Sequence, residues 1–411
     1  MSALLVSYHH KRKASNGVKV NFISKSGSPT TITSGLAKSV REEDTHAVLK
    51  PFEHEERMKR KIALRESVMS ENMKPRDLVT VRVPATSANM GPGFDCLGCA
   101  VDNMWSELTV ERSSKFEIVA YGDGADAMPK DQSNYVCVGL KAAFEIAGKE
   151  VPLLKYTINS QVPFARGLGS SSAAIVGGII AGLVLAGHKL PCWGSEALLQ
   201  IASKIEGHPD NVAPAIYGGI QLGIDNGERW LSERIPTPPG VQMVMFIPNF
   251  IGKTSDARNA LGPNISRKEA AFNIGRVAYL VNGLNHGNLD CLKHGCEDAL
   301  HQPQRGKAIY HYLYPMIEAA EAAGANACYL SGAGPTVMAL TSGASGDIFT
   351  QHEKELNHVE VAKAMKKSAR ESGIDGRVVV TNICNEGAKV IRVEPPFSSE
   401  ENGVIYKDGK V

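Results

Sequence analysis

The sequence predicts a protein of mixed helices and strands with more than one domain, and three observations support this prediction. The chain has 411 residues, whereas one domain typically has roughly 100–200. An alternating run at 78–83 and an apolar run at 175–186 indicate a strand and a buried helix. A proline-rich segment at 234–240 lies between two such regions and indicates a domain boundary.

The elements can be justified in chain order. The run LVTVRV at 78–83 alternates between apolar and polar residues, as a half-buried strand does. A second strand is predicted at 155–158, and the glycine-interrupted apolar run at 175–186 is predicted as a buried helix rather than a membrane span. After the proline-rich segment, residues 241–247 form a third apolar strand pattern.

The composition fits a soluble enzyme. Hydrophobic residues make up 43% of the chain and charged residues 21%, which is ordinary for a packed protein. The net charge of +2 gives no reason to expect nucleic acid or a membrane as a partner. The eight cysteines are scattered, which suits a reducing compartment.

The first 76 residues differ in composition from the rest. Residues 1–41 contain seven Lys or Arg and neither Asp nor Glu, a composition similar to that of organelle transit peptides. We therefore predict an N-terminal extension at 1–76, a candidate transit peptide followed by a charged linker. A plastid or another organelle is the expected location, with the cytoplasm as the alternative. Folded domains are predicted at 77–240 and 241–394, with a polar tail at 395–411.

The segment at 163–174 has the composition of a loop that binds an anion through its backbone. It follows the strand predicted at 155–158 and leads into the helix predicted at 175–186. Its glycines can adopt positive φ, and N–H groups at a helix N-terminus favour phosphate. The serine hydroxyls could also bind a hard metal ion. For this segment taken alone, a serine-capped helix without a ligand is the alternative.

Three segments together resemble the GHMP kinases, which phosphorylate sugars, mevalonate, homoserine and other small molecules. They are 84–98, 163–174 and 330–337, which read PATSANMGPGFDCLG, PFARGLGSSSAA and LSGAGPTV. The first of them and residues 206–214, EGHPDNVAP, are similar more specifically to the homoserine kinases. The resemblance covers about residues 79–393.

The resemblance implies the fold. GHMP kinases are α+β proteins of two domains, an N-terminal α+β domain with a left-handed crossover and a C-terminal ferredoxin-like domain, with the active site between them. Residues 77–240 would then be the ATP-binding domain and 241–394 the C-terminal domain. The resemblance also implies ATP and Mg²⁺ as cofactors and a homodimer as the assembly.

The resemblance assigns roles to single residues. The metal would be held by Ser171 and Glu206. ATP would be bound by the whole glycine loop, which comprises Pro163, Phe164, Ala165, Arg166, Gly167, Leu168, Gly169, Ser170, Ser171, Ser172 and Ala173.

The residues assigned to L-homoserine suit a zwitterion. Guanidinium groups bind a carboxylate, and a carboxylate binds an ammonium group. Mevalonate has no ammonium group, and galactose has neither charge. The catalytic candidates are Asn211, which would orient the hydroxyl, and Asp210, although homoserine kinases resemble enzymes without a dedicated base. The full substrate set is Asn89, Asp95, Asn211, Thr254, Arg258 and Arg305.

The implied activity is ATP-dependent phosphorylation of the side-chain hydroxyl of L-homoserine, a step in threonine biosynthesis. Two alternatives remain at this point. One is another GHMP small-molecule kinase, such as mevalonate kinase. The other is a sensor without catalytic activity, and the presence of Ser170, Ser171 and Glu206 argues against it. His208, which precedes a proline, is expected to be structural.

Overall fold

The computed structural model describes residues 22–23, 29–30, 74–190, 194–342 and 357–397. Most of the predicted extension at 1–76 and of the predicted tail at 395–411 therefore lies outside the described residues. The chain divides into two units, Met1–Ser67 and Val68–Val411. In the first unit, strands β1 (Phe22–Ile23) and β2 (Pro29–Thr30) pair antiparallel. All elements named below belong to the second unit.

The strands of the second unit form two sheets. In chain order they are β3 (Leu78–Ala88), β4 (Leu97–Arg112), β5 (Glu117–Gly122), β6 (Leu154–Ser160), β7 (Ile220–Asp225), β8 (Trp230–Ile235), β9 (Val241–Pro248), β10 (Ala327–Leu330), β11 (Val337–Ser342), β12 (Gly376–Asn382) and β13 (Lys389–Glu394).

The described helices range from one turn to more than five turns. They are α1 (Tyr135–Ile146), α2 (Ser170–Ala186), α3 (Gly194–Glu206), α4 (Val212–Tyr217), α5 (Thr254–Asn259), α6 (Arg267–His286), α7 (Leu292–Gly295), α8 (Gln302–Ala308), α9 (Leu313–Ala322) and α10 (Asn357–Glu371), with 3₁₀ turns at Ala125–Ala127 and Leu289–Cys291.

The first sheet has seven strands in the order β13-β3-β4-β6-β5, with β7 paired to β4 and β8 paired to β7. Only β5 and β6 are parallel, and α1 lies in the connection between them. The resemblance gives such a crossover a left-handed sense, which stays a prediction.

Strand β3 is longer than the alternating run from which we predicted it. The run at 78–83 has its valines buried on one face, as expected. From Pro84 the register against β4 shifts, and every following residue to Ala88 is buried. Burial on both faces removes the alternation, and the sequence pattern therefore indicated only the first half of the strand.

Helix α2 forms the centre of the first core. It is buried on nearly all sides, and it begins at Ser170, five residues before the apolar run used to predict it. Gly139 of α1 and Gly178 of α2 allow the two helices to approach closely. A Cβ atom at either glycine would lie 2.3–2.4 Å from a backbone oxygen of the other helix, so neither position has room for a side chain.

The second sheet is antiparallel throughout, in the order β10-β11-β9-β12. Helices follow β9 and precede β12, so the elements run β-α-β-β-α-β, as in a ferredoxin-like domain. The proline-rich segment predicted as a boundary connects β8 to β9. The predicted second domain ends in β13, but β13 pairs with β3 and so belongs to the first sheet.

Among the described residues, no helix is long and apolar enough to cross a membrane.

Candidate active site

The three sequence motifs meet at one buried hydroxyl group. Ser331, which follows β10, donates a hydrogen bond to the carbonyl oxygen of Gly167 at 2.6 Å. Because its proton is used there, its oxygen accepts from the Ser87 hydroxyl, 2.8 Å away on β3. Residues from the first, second and third motifs are thus joined in two hydrogen bonds.

The glycine loop has the backbone of an anion-binding turn at the start of α2. Gly167 and Gly169 have φ values of +75° and +69°, and Gly169 is the N-cap of the helix. A Cβ atom at Gly169 would lie 1.9 Å from the hydroxyl oxygen of Thr86. Ser170 accepts a hydrogen bond from the N–H of Ala165 at 3.2 Å, which closes the loop on itself. The free N–H groups of the first helical turn are donors for an anion.

The motifs surround one cavity of about 360 Å³. Of the glycine loop, Phe164, Ala165, Gly167, Gly169, Ser170 and Ser171 line it. All six residues assigned to the substrate also line it, namely Asn89, Asp95, Asn211, Thr254, Arg258 and Arg305. The remaining candidates, Glu206 and Asp210, are in the lining as well. Chain segments more than 200 residues apart in sequence therefore contribute to one site.

Five residues of the predicted ATP-binding loop do not line the cavity, namely Pro163, Arg166, Leu168, Ser172 and Ala173. Arg166 donates instead to the carbonyl oxygens of Phe250 at 3.0 Å and Asn249 at 2.8 Å. It also lies 3.7 Å from a carboxylate oxygen of Asp123. Its guanidinium therefore joins the loop to the segment after β9.

The two predicted metal ligands are adjacent. The Ser171 hydroxyl donates to Glu206 Oε1 at 2.6 Å. Ser171 belongs to the first turn of α2, and Glu206 is the last residue of α3. A hydroxyl and a carboxylate oxygen beside the glycine loop are a donor set that suits Mg²⁺.

Arg258 and Asp95 form a pair with two hydrogen bonds. The Arg258 guanidinium nitrogens lie 3.2 and 3.0 Å from the two carboxylate oxygens of Asp95. Both side chains are partly exposed, at 42% and 34%, so solvent screens the attraction. Thr254 and Arg258 are four residues apart on α5 and therefore share one face of that helix.

Arg305 is almost fully buried, with 2% of its surface exposed. It donates to the carbonyl oxygens of Ala257 and Gly332 and to Nδ1 of His301, each at 3.1 Å. The pKa of Arg305 is lowered overall, mainly by burial and also by the charge of Arg258, although Tyr310, Asp95 and Asp298 raise it. Its Nη2 group makes no hydrogen bond to any described residue, so a buried cation with a free donor faces the cavity.

Asp95, His208 and Asp210 bring two carboxylates and an imidazole together. One ligand atom from each lies within 4.8 Å of the others, and Asp210 is 2% exposed. Burial alone would lower the pKa of His208, but the hydrogen bond from its Nδ1 to Asp210 and the charges of Asp210, Asp95 and Glu206 raise it. The cluster is negative, and it can attract a cationic group of a ligand.

Asn211 has its orientation fixed by a neighbouring strand. Thr86 Oγ1 donates to Asn211 Oδ1 at 2.8 Å, so the amide oxygen is occupied and the amide Nδ2–H₂ group is left as a donor. Asn211 also stands at the start of α4, directly after Asp210. The side chain can therefore donate to an oxygen atom of a reacting group in the cavity.

We predict that Thr86→Val lowers kcat by about tenfold, because valine has the shape of threonine but cannot hold the amide of Asn211. The KM values for both substrates should change much less. The matched control is Thr80→Val on the same strand, since the Thr80 hydroxyl bonds to the Thr109 hydroxyl at 2.9 Å, outside the cavity. Steady-state kinetics of both variants test this. Equal kcat in the two variants would contradict a positioning role for Thr86.

Sequence reasoning missed three residues beside the substrate set. Thr86 and Phe94 lie within the first motif, but no role was assigned to them. The Phe94 ring lies 5.8 and 5.5 Å from the guanidinium carbons of Arg258 and Arg305. His301 lies four residues before Arg305, one helical turn away. That spacing was the one signal that could have revealed it.

Comparisons with known proteins support the family resemblance of the motifs. The family model for the GHMP kinases N terminal domain matches residues 134–219, and the model for the GHMP kinases C terminal domain matches residues 280–362. The homoserine kinase of Desulfitobacterium hafniense is 38% identical over 314 residues, which are 76% of this chain and 100% of that protein. The homoserine kinase of Moorella thermoacetica is 39% identical over 311 residues, 76% of this chain and 99% of that protein.

A solved structure gives the same result. The crystal structure of homoserine kinase from Cytophaga hutchinsonii superposes with a TM-score of 0.67 at 31% identity. It covers 78% of this chain and 99% of that chain. The resemblance seen in the motifs and the two-domain α+β fold that it implied are both confirmed.

Proposed function

This chain belongs to the homoserine kinase family within the GHMP kinases, and from that premise we propose that it phosphorylates the side-chain hydroxyl of L-homoserine with ATP. The products are O-phospho-L-homoserine and ADP, and the step belongs to threonine biosynthesis. The observation that supports this most strongly is the charge pattern of the cavity. Two arginines and three carboxylates face it, together with a glycine loop at a helix N-terminus.

The charges match a zwitterion. Arg305 has a guanidinium Nη2 group without a hydrogen bond to any described residue, which can bind a carboxylate, and Arg258 offers a second guanidinium. Asp95 is the carboxylate for the ammonium group, with Asn89 next to it. In the described structure Arg258 and Asp95 pair with each other. Because that pair is partly exposed and so costs little to open, the substrate can exchange it for two pairs of its own.

Asn89 contributes by holding its own loop. Its Nδ2 group donates to the carbonyl oxygen of Gly332 at 2.7 Å, and its Oδ1 atom accepts from the N–H of Asp95 at 3.0 Å. Asn89 and Asp95 both have positive φ, at +69° and +57°. Non-glycine residues rarely adopt this conformation, and strain of this kind is held where a ligand must be met. The loop is thus fixed before the substrate binds.

Phosphoryl transfer needs positioning and charge neutralisation more than covalent chemistry. The N–H groups at the start of α2 would bind the phosphates of ATP, while Arg258, Arg305 and Asp95 place the substrate hydroxyl in line. The bond from hydroxyl oxygen to phosphorus forms as the bond from phosphorus to the β,γ-bridging oxygen breaks. Asn211 Nδ2 can donate to the transferred group.

Asp210 stays the candidate acceptor for the hydroxyl proton. One of its oxygens accepts from His208, and the other makes no hydrogen bond to any described residue. A buried carboxylate with one free oxygen can accept a proton from a hydroxyl beside it. The hydrogen bond to Asp210 and the nearby carboxylates raise the pKa of His208.

Mg²⁺ is proposed as the metal, held by Ser171 and Glu206 beside the glycine loop. When bound there, it would supply positive charge to the phosphate oxygens. We predict that Glu206→Gln raises the Mg²⁺ concentration needed for half-maximal activity, because an amide is a weaker ligand than a carboxylate. Glu196→Gln on the same helix is the control, since Glu196 pairs with exposed Arg229. Magnesium titrations of activity that coincide for both variants would exclude Glu206 as a ligand.

The proposed activity is tested by measuring ADP release from the full chain with Mg²⁺ and ATP. L-homoserine and mevalonate are supplied in separate reactions. Turnover with L-homoserine alone is expected. Turnover with mevalonate alone would mean that Arg258, Arg305 and Asp95 have other roles. ATP binding with no turnover of either substrate would favour a sensor.

Assembly and location are proposed from the sequence alone. The resemblance supports a homodimer, which light scattering after size exclusion would test. The basic, acid-free composition of residues 1–41 supports import into a plastid or another organelle. Fusion of residues 1–76 to a fluorescent protein tests that proposal, and a cytoplasmic signal would reject it.

A further inference from the structure

His301 lies fully buried between the two halves of the substrate site. Its Nδ1 atom is 3.1 Å from Nη1 of Arg305, the buried arginine assigned to the substrate carboxylate. Its Nε2 atom is 2.8 Å from the carbonyl oxygen of Gly91. Gly91 belongs to the loop at 89–95 that carries Asn89 and Asp95. One imidazole ring therefore links the carboxylate-binding arginine to the loop that holds the ammonium-binding carboxylate.

The partners of His301 fix its protonation state and tautomer. A guanidinium group can only donate, so Nδ1 must accept; a carbonyl oxygen can only accept, so Nε2 must donate. The ring is therefore neutral with its proton on Nε2. The pKa of His301 is lowered overall, mainly by burial. The charge of Arg305 lowers it further, whereas Asp298, the Gly91 carbonyl and Asp95 raise it. Protonation at Nδ1 would direct two cationic donors at each other.

The ring also orders the space between the two arginines. Phe94 stacks against His301 with ring centroids 5.3 Å apart and an angle of 33° between the planes. The same phenyl ring lies within 6 Å of both guanidinium carbons, as a cation–π contact requires. Phe94 therefore contacts His301 and both guanidinium groups.

The His301 side chain is not needed to begin helix α8. Asp298 does that, because its carboxylate accepts the N–H groups of residues 300, 301 and 302 at 2.7–2.9 Å. Asn273 supports the same carboxylate at 2.8 Å. The two hydrogen bonds of the imidazole instead go to Arg305 and Gly91, both of which belong to the substrate side of the site.

We propose that His301 is a positioning residue that holds Arg305 and the loop at 89–95 in register, and so makes the site selective for substrates with both a carboxylate and an ammonium group. This inference rests on the proposed function. His301 does not touch the reacting atoms; it acts through Arg305 on one side and through Gly91 on the other.

Three substitutions separate the two contacts. His301→Asn places an amide oxygen near the position of Nδ1, so it can still accept from Arg305 but cannot reach Gly91. His301→Gln places an amide N–H₂ group near the position of Nε2, so it keeps the donor to Gly91 and loses the acceptor for Arg305. His301→Leu removes both contacts. His311→Leu is the control, because His311 is exposed and bonds to Ser372 O at 3.1 Å, outside the cavity.

Two analogues report on the two contacts. L-homoserine amide lacks the carboxylate, and 4-hydroxybutyrate lacks the ammonium group. In the full chain, the preference for L-homoserine over the amide, as a ratio of kcat/KM, should fall by about tenfold in His301→Gln and be largely kept in His301→Asn. The preference over 4-hydroxybutyrate should show the reverse. His301→Leu should lose both preferences, with KM for ATP unchanged.

The results distinguish a failure of the proposed function from a failure of the inference about His301. If the unmodified chain does not phosphorylate L-homoserine, the proposed function fails before any variant is considered. If it does, but the variants keep both preferences or lose affinity for ATP and L-homoserine equally, His301 has only a structural role and this inference is wrong. Thermal unfolding of each variant shows whether it is folded, and the two polar variants decide the question if His301→Leu is not.

Discussion

Arg305→Ala is expected to lower kcat/KM for L-homoserine by at least about 30-fold, equivalent to about 2 kcal/mol of transition-state stabilisation, with KM for ATP nearly unchanged. Arg305 is buried, and its Nη2 group is free among the described residues. Its substitution would therefore remove the buried guanidinium group from the substrate carboxylate and leave only the partly exposed Arg258. Steady-state kinetics with each substrate varied in turn measure both quantities.

Two further variants make that result specific. Arg276→Ala removes an arginine that pairs with Glu297 at 2.7 Å and does not line the cavity, so it should leave both KM values as they are. Arg305→Lys keeps the charge but loses the planar fork, and it should recover only part of the lost activity. Equal losses for L-homoserine and ATP would remove Arg305 from the substrate site.

Gly169→Val is expected to weaken ATP binding by at least about tenfold, because the new side chain would meet Thr86 where the glycine loop begins α2. The Cβ atom alone would lie 1.9 Å from Thr86 Oγ1 and 3.2 Å from Asn211 Oδ1. The positive φ of +69° adds backbone strain. Calorimetric titration with ATP and Mg²⁺, in the absence of L-homoserine, measures the affinity.

Gly148→Val is the control that tests whether backbone strain alone can account for a loss of ATP affinity. Gly148 also has a positive φ, +63°, but a Cβ atom there would have no described residue within 4 Å. This control should lower the free energy of unfolding by an amount set by the strain alone and leave ATP affinity unchanged. If Gly169→Val binds ATP as well as the control does, the glycine loop is not the phosphate site.

The two arginines of the site differ in burial, and they therefore recognise the substrate's charges in different ways. Arg305 is fixed by carbonyl oxygens and His301, so it presents a preformed cation. Arg258 is partly exposed and pairs with Asp95. A zwitterion can replace that exposed pair at little cost, and the buried arginine gains a partner that it lacked. Substrates with only one of the two charges would leave part of this arrangement unpaired.

Much of the fold followed from local patterns. The strands beginning at 78 and 241 were predicted within a few residues, because alternation or apolar runs reflect burial on one or both faces. The ferredoxin-like order of the second sheet came with the family resemblance and not from any periodicity. The pairing of β13 with β3 was not predicted, since nothing in a six-residue strand of mixed polar and apolar residues indicates its partner.

For the candidate site, the sequence motifs identified the residues but not the hydrogen bonds between them. Arg166 lies within the glycine loop, yet its guanidinium bonds to the carbonyl oxygens of Asn249 and Phe250. The hydrogen bonds of this long side chain depend on acceptors more than 80 residues away in the sequence, and the loop sequence does not specify those acceptors. The roles of Thr86 and His301 were missed for the same reason, because each forms a hydrogen bond to a residue that is distant in the sequence.

The sequence by itself determined the family, the glycine loop and the identity of the charged residues, because these depend on residue types at fixed local spacing. Only the tertiary structure decided which groups face the cavity and in what state. Ser331 joins three motifs, Thr86 turns the Asn211 amide, and His301 must be neutral between Arg305 and Gly91. Such relations arise when segments far apart in the chain are buried together, since each buried polar group must then find a partner from another segment.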